Sequence, residues 1–322
     1  VTGPNHGGAI YTVGTVNVSN STFEGNQTSF GNGGAIRAGF VNVSGSTFKN
    51  NHAGGNGGAI YAYSTTANVS NSTFENNQAS YNGGAIFTIN ANISNSTFEG
   101  NQANNGDGGA ICAVVTLKAS HLTLLDNSAT TSGAAIYHQG SGNARIDNSL
   151  ILSSTDLADA PTLCAVGDAG SIGGSYNIEW VNGADTTSCN GVSPVSGGSG
   201  AIGAIVETTL ADNGGPTPTL ALPAGSPAIG AVDPGGATSR MLVIDFSSTP
   251  VTATWEDATL DQRGVTRATT TAERSLGAFE YKAPPAPIPV LPISLALLLA
   301  LGVAGVGFRG QRTEDRSDLT KS

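Results

Sequence analysis

The sequence predicts an all-β fold, a parallel β-helix solenoid of about 25 residues per coil, and three observations carry that prediction. The phrase GGAI stands at Gly7, Gly33, Gly57, Gly83 and Gly108, with a degenerate GAAI at Gly133, at spacings of 26, 24, 26, 25 and 25 residues. A second phrase keeps step with it. It reads VNVSNSTF ending at Phe23, VNVSGSTF at Phe48, ANVSNSTF at Phe74 and ANISNSTF at Phe98, then decays to LKASHLTL at Leu124 and ARIDNSLI at Ile151. An Asn follows each aromatic by three residues, at Asn26, Asn51, Asn77 and Asn101, and Asn127 follows Leu124 in the same way.

A fixed period of this length means that each repeat is one coil of a solenoid. Short alternation of V-x-V, Thr and Phe reads as strands of period two, not helices of period 3.6. Leu is scarce in the early repeats, which argues against leucine-rich repeats. The period is also wrong for the glycine-rich calcium nonapeptide, and only Asp107 supplies a carboxylate to a GGAI phrase. Coils stacked at about 4.8 Å place equivalent residues in columns. Ile10, Ile36, Ile60, Ile86, Ile111 and Ile136 form one interior column. Val18, Val43, Val69, Ile93, Ala119 and Ile146 form a second, and Phe23, Phe48, Phe74, Phe98, Leu124 and Ile151 a third. The paired glycines supply positive φ or close backbone approach. The Asn column offers amides that can hydrogen-bond along the stack, and Asn also tolerates left-handed turn conformations.

Alternation places the residue after each Ile on the outer face. That column reads Tyr11, Arg37, Tyr61, Phe87, Cys112, Tyr137. Arg37 fits an outward face, because an unpaired charge is costly inside. Two readings stand: the aromatics contact a glycan, or they stabilise one sheet through cross-strand pairs. The column after Phe reads Glu24, Lys49, Glu75, Glu99, a solvated charge ladder in which Glu75 and Glu99 are the candidate cation ligands.

Composition excludes other classes. A net charge of −10, from 13 Lys and Arg against 23 Asp and Glu, is a poor match for nucleic acid, which needs basic clusters. Glycine, at 45 residues, and a charged fraction of 11% could mean disorder, but the regular Val, Ile and Phe positions argue against that. No cofactor motif and no catalytic constellation stands out. His6, His52, His121 and His138 fall in different columns or distant coils. Of three cysteines, Cys164 and Cys189 are candidates for a loop-closing disulfide in an oxidising compartment; the other reading is three buried thiols. The chain begins at Val1 within the repeat, with neither initiator Met nor signal peptide, and the expectation is that a native segment precedes it.

GGAI coupled to FxxN resembles the repeats of chlamydial polymorphic outer-membrane proteins and of bacterial right-handed parallel β-helix proteins over about residues 1–152. A second region, 153–282, carries IGGSYNIEW, DNGGPTPTLAL, GSPAIGA, DQRG and LGAFE in order. Together these resemble the choice-of-anchor Q class of bacterial surface proteins, in which β-helix repeats run into a closing region and then a variable anchor. Gly230 departs from that class, which usually has Asp after SPAI. Arg263 or Arg267 is expected to pair with Asp261 or Glu280 as structural ties.

Beyond Lys282 the composition changes. APPAPIPVLP (283–292) reads as a Pro-rich spacer. ISLALLLALGVAGVGF (293–308) reads as a membrane or sorting helix, and Arg309 and Arg312 head a charged cytoplasmic tail (309–322). This order resembles the tripartite sorting signals of Gram-negative envelope proteins, which implies an exported protein anchored by its C-terminus and open to an envelope sorting protease. The expected function is a non-enzymatic, adhesin-like or structural envelope protein whose ligand is a glycan or a protein. The alternatives are a polysaccharide lyase or glycoside hydrolase on a β-helix, and a passive carbohydrate-binding module.

Overall fold

The computed structural model describes residues 2–3, 7–155, 157, 162–167, 170–181, 184–185, 188–189, 202–231, 240–245, 251–257, 259–268 and 275–281. The chain divides into two compact units, Val1–Tyr281 and Lys282–Ser322. The second falls wholly outside the described residues, and with it the spacer, helix and tail expected at 283–322. Among the described residues no helix is long and apolar enough to cross a membrane.

The first unit is a parallel β-solenoid of about six turns with about 26 residues per turn and almost no helix. Each coil contributes to three parallel ladders. The longest contains Ile10–Tyr11, Ile36–Ala38, Ile60–Ser70, Ile86–Ser94, Ile111–Ser120 and Ile136–His138, together with Thr15–Ser19 and Phe40–Ser44. The second stacks Thr22–Glu24, Thr47–Lys49, Thr73–Glu75, Thr97–Glu99, Thr123–Leu125 and Leu150–Ser153. The third is a ladder of two-residue strands such as His52–Ala53 and Gln78–Ala79. Register follows the repeat: Ile60 pairs with Ile86 and Ile36, and Phe74 with Phe48 and Phe98.

The three predicted interior columns form the core. Phe48, Phe74, Phe98 and every Ile of the GGAI column from Ile36 to Ile136 are buried. The Phe rings stack at centroid separations of 4.9, 4.9 and 4.7 Å, almost parallel. The two glycines of each phrase do different things. Gly57 has φ 67°, and Gly58 lies where a Cβ would come within 2.0 Å of the Gly84 carbonyl oxygen of the next coil.

The Asn column is a buried amide ladder. Asn26, Asn51, Asn77 and Asn101 each donate Nδ2–H to the Oδ1 of the next Asn at 2.9 Å, and each backbone N–H donates to that same oxygen at 3.0 Å. Asn51, Asn77, Asn101 and Asn127 also donate Nδ2–H back to the carbonyls of Phe23, Phe48, Phe74 and Phe98. The left-handed conformations, however, fall on other positions: Asn50 and Asn76 at the preceding turn, and Asn20, Asn71 and Asn95 before the Ser-Thr-Phe strands. The ladder Asn is therefore held for its amide and its neighbours for their backbone. A serine ladder runs alongside, with the N–H groups of Ser21, Ser46 and Ser72 donating to the Oγ atoms of Ser46, Ser72 and Ser96.

Stacking continues past Ile151. Cys164–Val166 pairs with Ile136–His138, Ile172–Ser175 with Ala144–Asp147, and Ile178–Val181 with Leu150–Ser153. Cys164 takes the Ile position, and Cys189, its disulfide partner, stands 25 residues further on with a Cα–Cα distance of 5.0 Å. Glu179 stacks on Ile151, at the end of the Phe column, and its buried carboxylate accepts hydrogen bonds from the Cys189 N–H and the Ser188 hydroxyl.

The rest of this unit folds back along the solenoid. A hairpin, Arg240–Asp245 with Thr252–Asp257, lays its first strand against the long ladder, where the Leu242 N–H donates to Ser120 Oγ at 2.8 Å. Asn42 and Asn68 on that ladder form an outward amide row with Asn17 and Asn92, and both are buried. The DQRG loop covers the outward threonines of the second ladder. Gln262 donates Nε2–H to Thr73 and Thr217 and accepts from Thr97, at 2.7–2.8 Å. Ala278 N–H donates to Thr123 Oγ1. A second apolar cluster fills this joint, with Leu125, Leu152 and Trp180 from the coils against Leu220, Leu276 and Phe279. The ties are Asp261–Arg263 at 2.6 Å and Glu280–Arg267 at 3.1 Å.

Candidate functional site

Two outward rows of the solenoid are therefore covered over their middle coils, whereas the column after each Ile is buried at Cys112 and otherwise at least partly exposed. In-register pairing puts Tyr11, Arg37, Tyr61, Phe87, Cys112 and Tyr137 in one row along successive coils. Tyr11 is 50% exposed, and Arg37, Tyr61, Phe87 and Tyr137 are half-buried. The Arg37 guanidinium carbon lies 5.4 Å from the ring centre of Tyr11, 5.8 Å from Tyr61 and 5.2 Å from Tyr63, within reach of cation–π attraction to all three. Tyr63 was not singled out from the sequence. The signal was there, since it sits two residues after Tyr61 and alternation returns it to the same face.

The rings of this column lie face to face along the rod. Tyr61 stacks on Phe87 at 5.3 Å and 20°, and on Tyr63 at 6.0 Å and 21°. These ring faces are turned to one another and to Arg37, so a sugar ring has edges and hydroxyl groups to meet rather than open faces. Cys112 occupies an outward register position yet is fully buried between Phe87 and Tyr137 in the row. Burial, with a smaller contribution from Asp107, pushes its thiol well above the ordinary range, so it is no nucleophile at neutral pH.

The charge ladder after Phe behaves differently. Lys49 Nζ lies 2.7 Å from Glu75 Oε1, so Glu75 is engaged as a partner of Lys49. The Glu99 carboxyl is pushed up by burial first, then by Glu75 and Asp126. Among the described residues no group of three or more His, Cys, Asp or Glu side chains is placed to hold a metal. His138 is buried with Nε2 3.0 Å from the Val115 carbonyl, while His52 lies on the short ladder; His6 lies outside the described residues. Neither His52 nor His138 meets a carboxylate pair among the described residues.

The family model of the Chlamydia polymorphic membrane protein repeat matches residues 45–63, 71–89 and 95–114. Each match runs from the Ser-Thr-Phe strand through the ladder Asn into the next GGAI, which is the part of the coil that holds the Phe stack and the amide ladder. No curated protein and no solved structure gives a match. The chain is thus similar to those membrane-protein repeats over the coils that carry the most regular columns.

Proposed function

We propose that this is a non-enzymatic, surface-displayed β-helix of the cell envelope, adhesin-like, which meets its ligand through the column Tyr11, Arg37, Tyr61, Phe87 and Tyr137. The observation that carries the reading is the contrast between faces: outward rows of the middle coils lie beneath the hairpin and the DQRG loop, while the aromatic row, apart from Cys112, stays partly exposed. The repeat match supports an outer-membrane or cell-surface setting, since the matched family is named for membrane proteins. The choice-of-anchor Q-like closing region, and a C-terminal anchor at 293–308 that is a substrate for an envelope sorting protease, belong to the same reading. A row of repeated contacts along a rigid rod suits multivalent recognition, in which weak contacts add through effective concentration.

A glycan lyase or hydrolase on this scaffold needs an acid/base pair or a cation site beside a base. Among the described residues of the coils, Lys49 is paired with Glu75 and Arg145 with Asp147 rather than set as an acid/base pair. The test has two parts. Antibody labelling of intact cells expressing the full-length protein is expected to reach the coils, and labelling only after permeabilisation would overturn the surface reading. A reducing-sugar assay on uronic-acid and neutral glycans, with and without calcium, is expected to show no turnover, and robust turnover would overturn the adhesin reading.

A further inference from the structure

Among the described residues no carboxylate pairs with the Arg37 cation, and its Nε is buried without a hydrogen-bond partner. Three tyrosine rings lie 5.2–5.8 Å from the guanidinium, and Arg37 is half-buried among them. A partly desolvated guanidinium prefers a carboxylate, which it can grip with two parallel hydrogen bonds. The neighbouring rings stack on one another, so their edges point outward, and an aromatic edge carries positive potential. The strip from Tyr11 to Phe87 is therefore locally suited to an anion, on a protein whose net charge is −10.

We propose that the cluster of Tyr11, Arg37, Tyr61 and Tyr63 binds the carboxylate of an acidic sugar in a polysaccharide, reading it edge-on. This rests on the aromatic row being the ligand face. An extended acidic peptide fits less well. Main-chain pairing with the coils above and below already engages the strands at this row, so no free strand edge is offered for β-augmentation. A sugar needs no strand edge, because its hydroxyls match the tyrosine hydroxyls while its carboxylate meets Arg37. The overall negative charge means that long-range steering does not help; recognition is short-ranged and depends on the cluster itself.

The experiment compares binding of the full chain to immobilised polygalacturonate, to its fully methyl-esterified form and to polyglutamate. Polygalacturonate is expected to bind at least about tenfold more tightly than either of the other two. Arg37→Gln is expected to remove that preference, and Arg37→Lys to keep part of it; the second variant serves if the first folds poorly, as judged by circular dichroism. Equal binding of the methyl ester, or undiminished polygalacturonate binding by Arg37→Gln, would overturn the acidic-sugar assignment while leaving the row as a ligand face. Stronger binding of polyglutamate would overturn the choice of sugar over peptide. If Tyr61→Ala with Phe87→Ala leaves every glycan contact unchanged, the ligand-face reading itself fails.

Discussion

Replacing Asn77 by Ala removes one rung of the buried amide ladder, and the cost can be worked from its contacts. Asn77 Oδ1 accepts from the Asn51 N–H at 3.0 Å and from Asn51 Nδ2–H at 2.9 Å. Its Nδ2 donates to the Phe48 carbonyl at 3.0 Å and to Asn101 Oδ1 at 2.9 Å. All four bonds are lost. Asn101 Oδ1 keeps the Asn77 backbone N–H, and Asn51 Nδ2 keeps the Phe23 carbonyl, but the Asn51 N–H is left buried with nothing to bond. Four bonds at about 1 kcal/mol each, one of them leaving an orphaned buried donor, give a loss of roughly 3–5 kcal/mol. That is a large part of the 5–15 kcal/mol typical of a domain. Exposed Gln78→Ala, which gives up one 3.4 Å contact to Gln102, serves as the control, with an expected change within about 0.5 kcal/mol. Urea unfolding at 25 °C, followed by far-ultraviolet circular dichroism, reads both from the midpoint and slope. A loss below about 1 kcal/mol for Asn77→Ala would refute the claim that the ladder holds the coils together.

Phe74, stacked between Phe48 and Phe98, is expected to cost about 3–5 kcal/mol when replaced by Ala and under about 1.5 kcal/mol when replaced by Leu, the residue that Leu124 already supplies to this column; the same unfolding assay separates the two. Reducing the Cys164–Cys189 bond, or replacing both cysteines by Ser, releases a loop of 25 residues, worth about 3.5 kcal/mol by chain entropy; an unfolding midpoint that does not respond to reductant would contradict it. Asp107 sits where earlier coils carry Asn32, Asn56 and Asn82, and burial raises its carboxyl above the usual value. A raised carboxyl holds its proton longer in the folded than in the unfolded state, so its contribution to stability falls as pH rises above about 4. Asp107→Asn is expected to flatten that decline and to add about 0.5–1 kcal/mol at pH 7; the check is stability measured at pH 4, 5, 6 and 7.

The periodic part of this molecule was legible because a solenoid repeats its environment. Each inward position sees the same neighbours one coil away, so Ile, Phe and Asn recur and their columns can be read directly. What escaped was whatever depends on contacts far apart in sequence. The docking of the DQRG loop, with Gln262 reaching Thr73 across 189 residues, leaves no trace in the period. One clue was present. The outward column after Phe runs Glu24, Lys49, Glu75, Glu99 and then turns to Leu125, an apolar residue on an outer face, which means that something covers it. The closing region 153–282 reads as β-helix from its resemblance, but its columns through Cys164, Ile172 and Ile178 do not show in the GGAI period, because 28 residues separate Cys164 from Ile136 and a Cys replaces the Ile. At the site, alternation gave the row and its outward side. It did not give the stacking of the rings on one another, which depends on χ angles and leaves edges rather than faces to a ligand.

The division of labour between constant and variable positions is tested most directly by one comparison: ligand binding by the full chain with Tyr61→Ala and Phe87→Ala together, each residue outward and half-buried, measured alongside its unfolding midpoint. The account predicts that binding to arrayed glycans and proteins is lost while stability falls by no more than about 1–2 kcal/mol, the worth of a cross-strand aromatic pair and its burial. Binding retained in full by a folded double variant would contradict it.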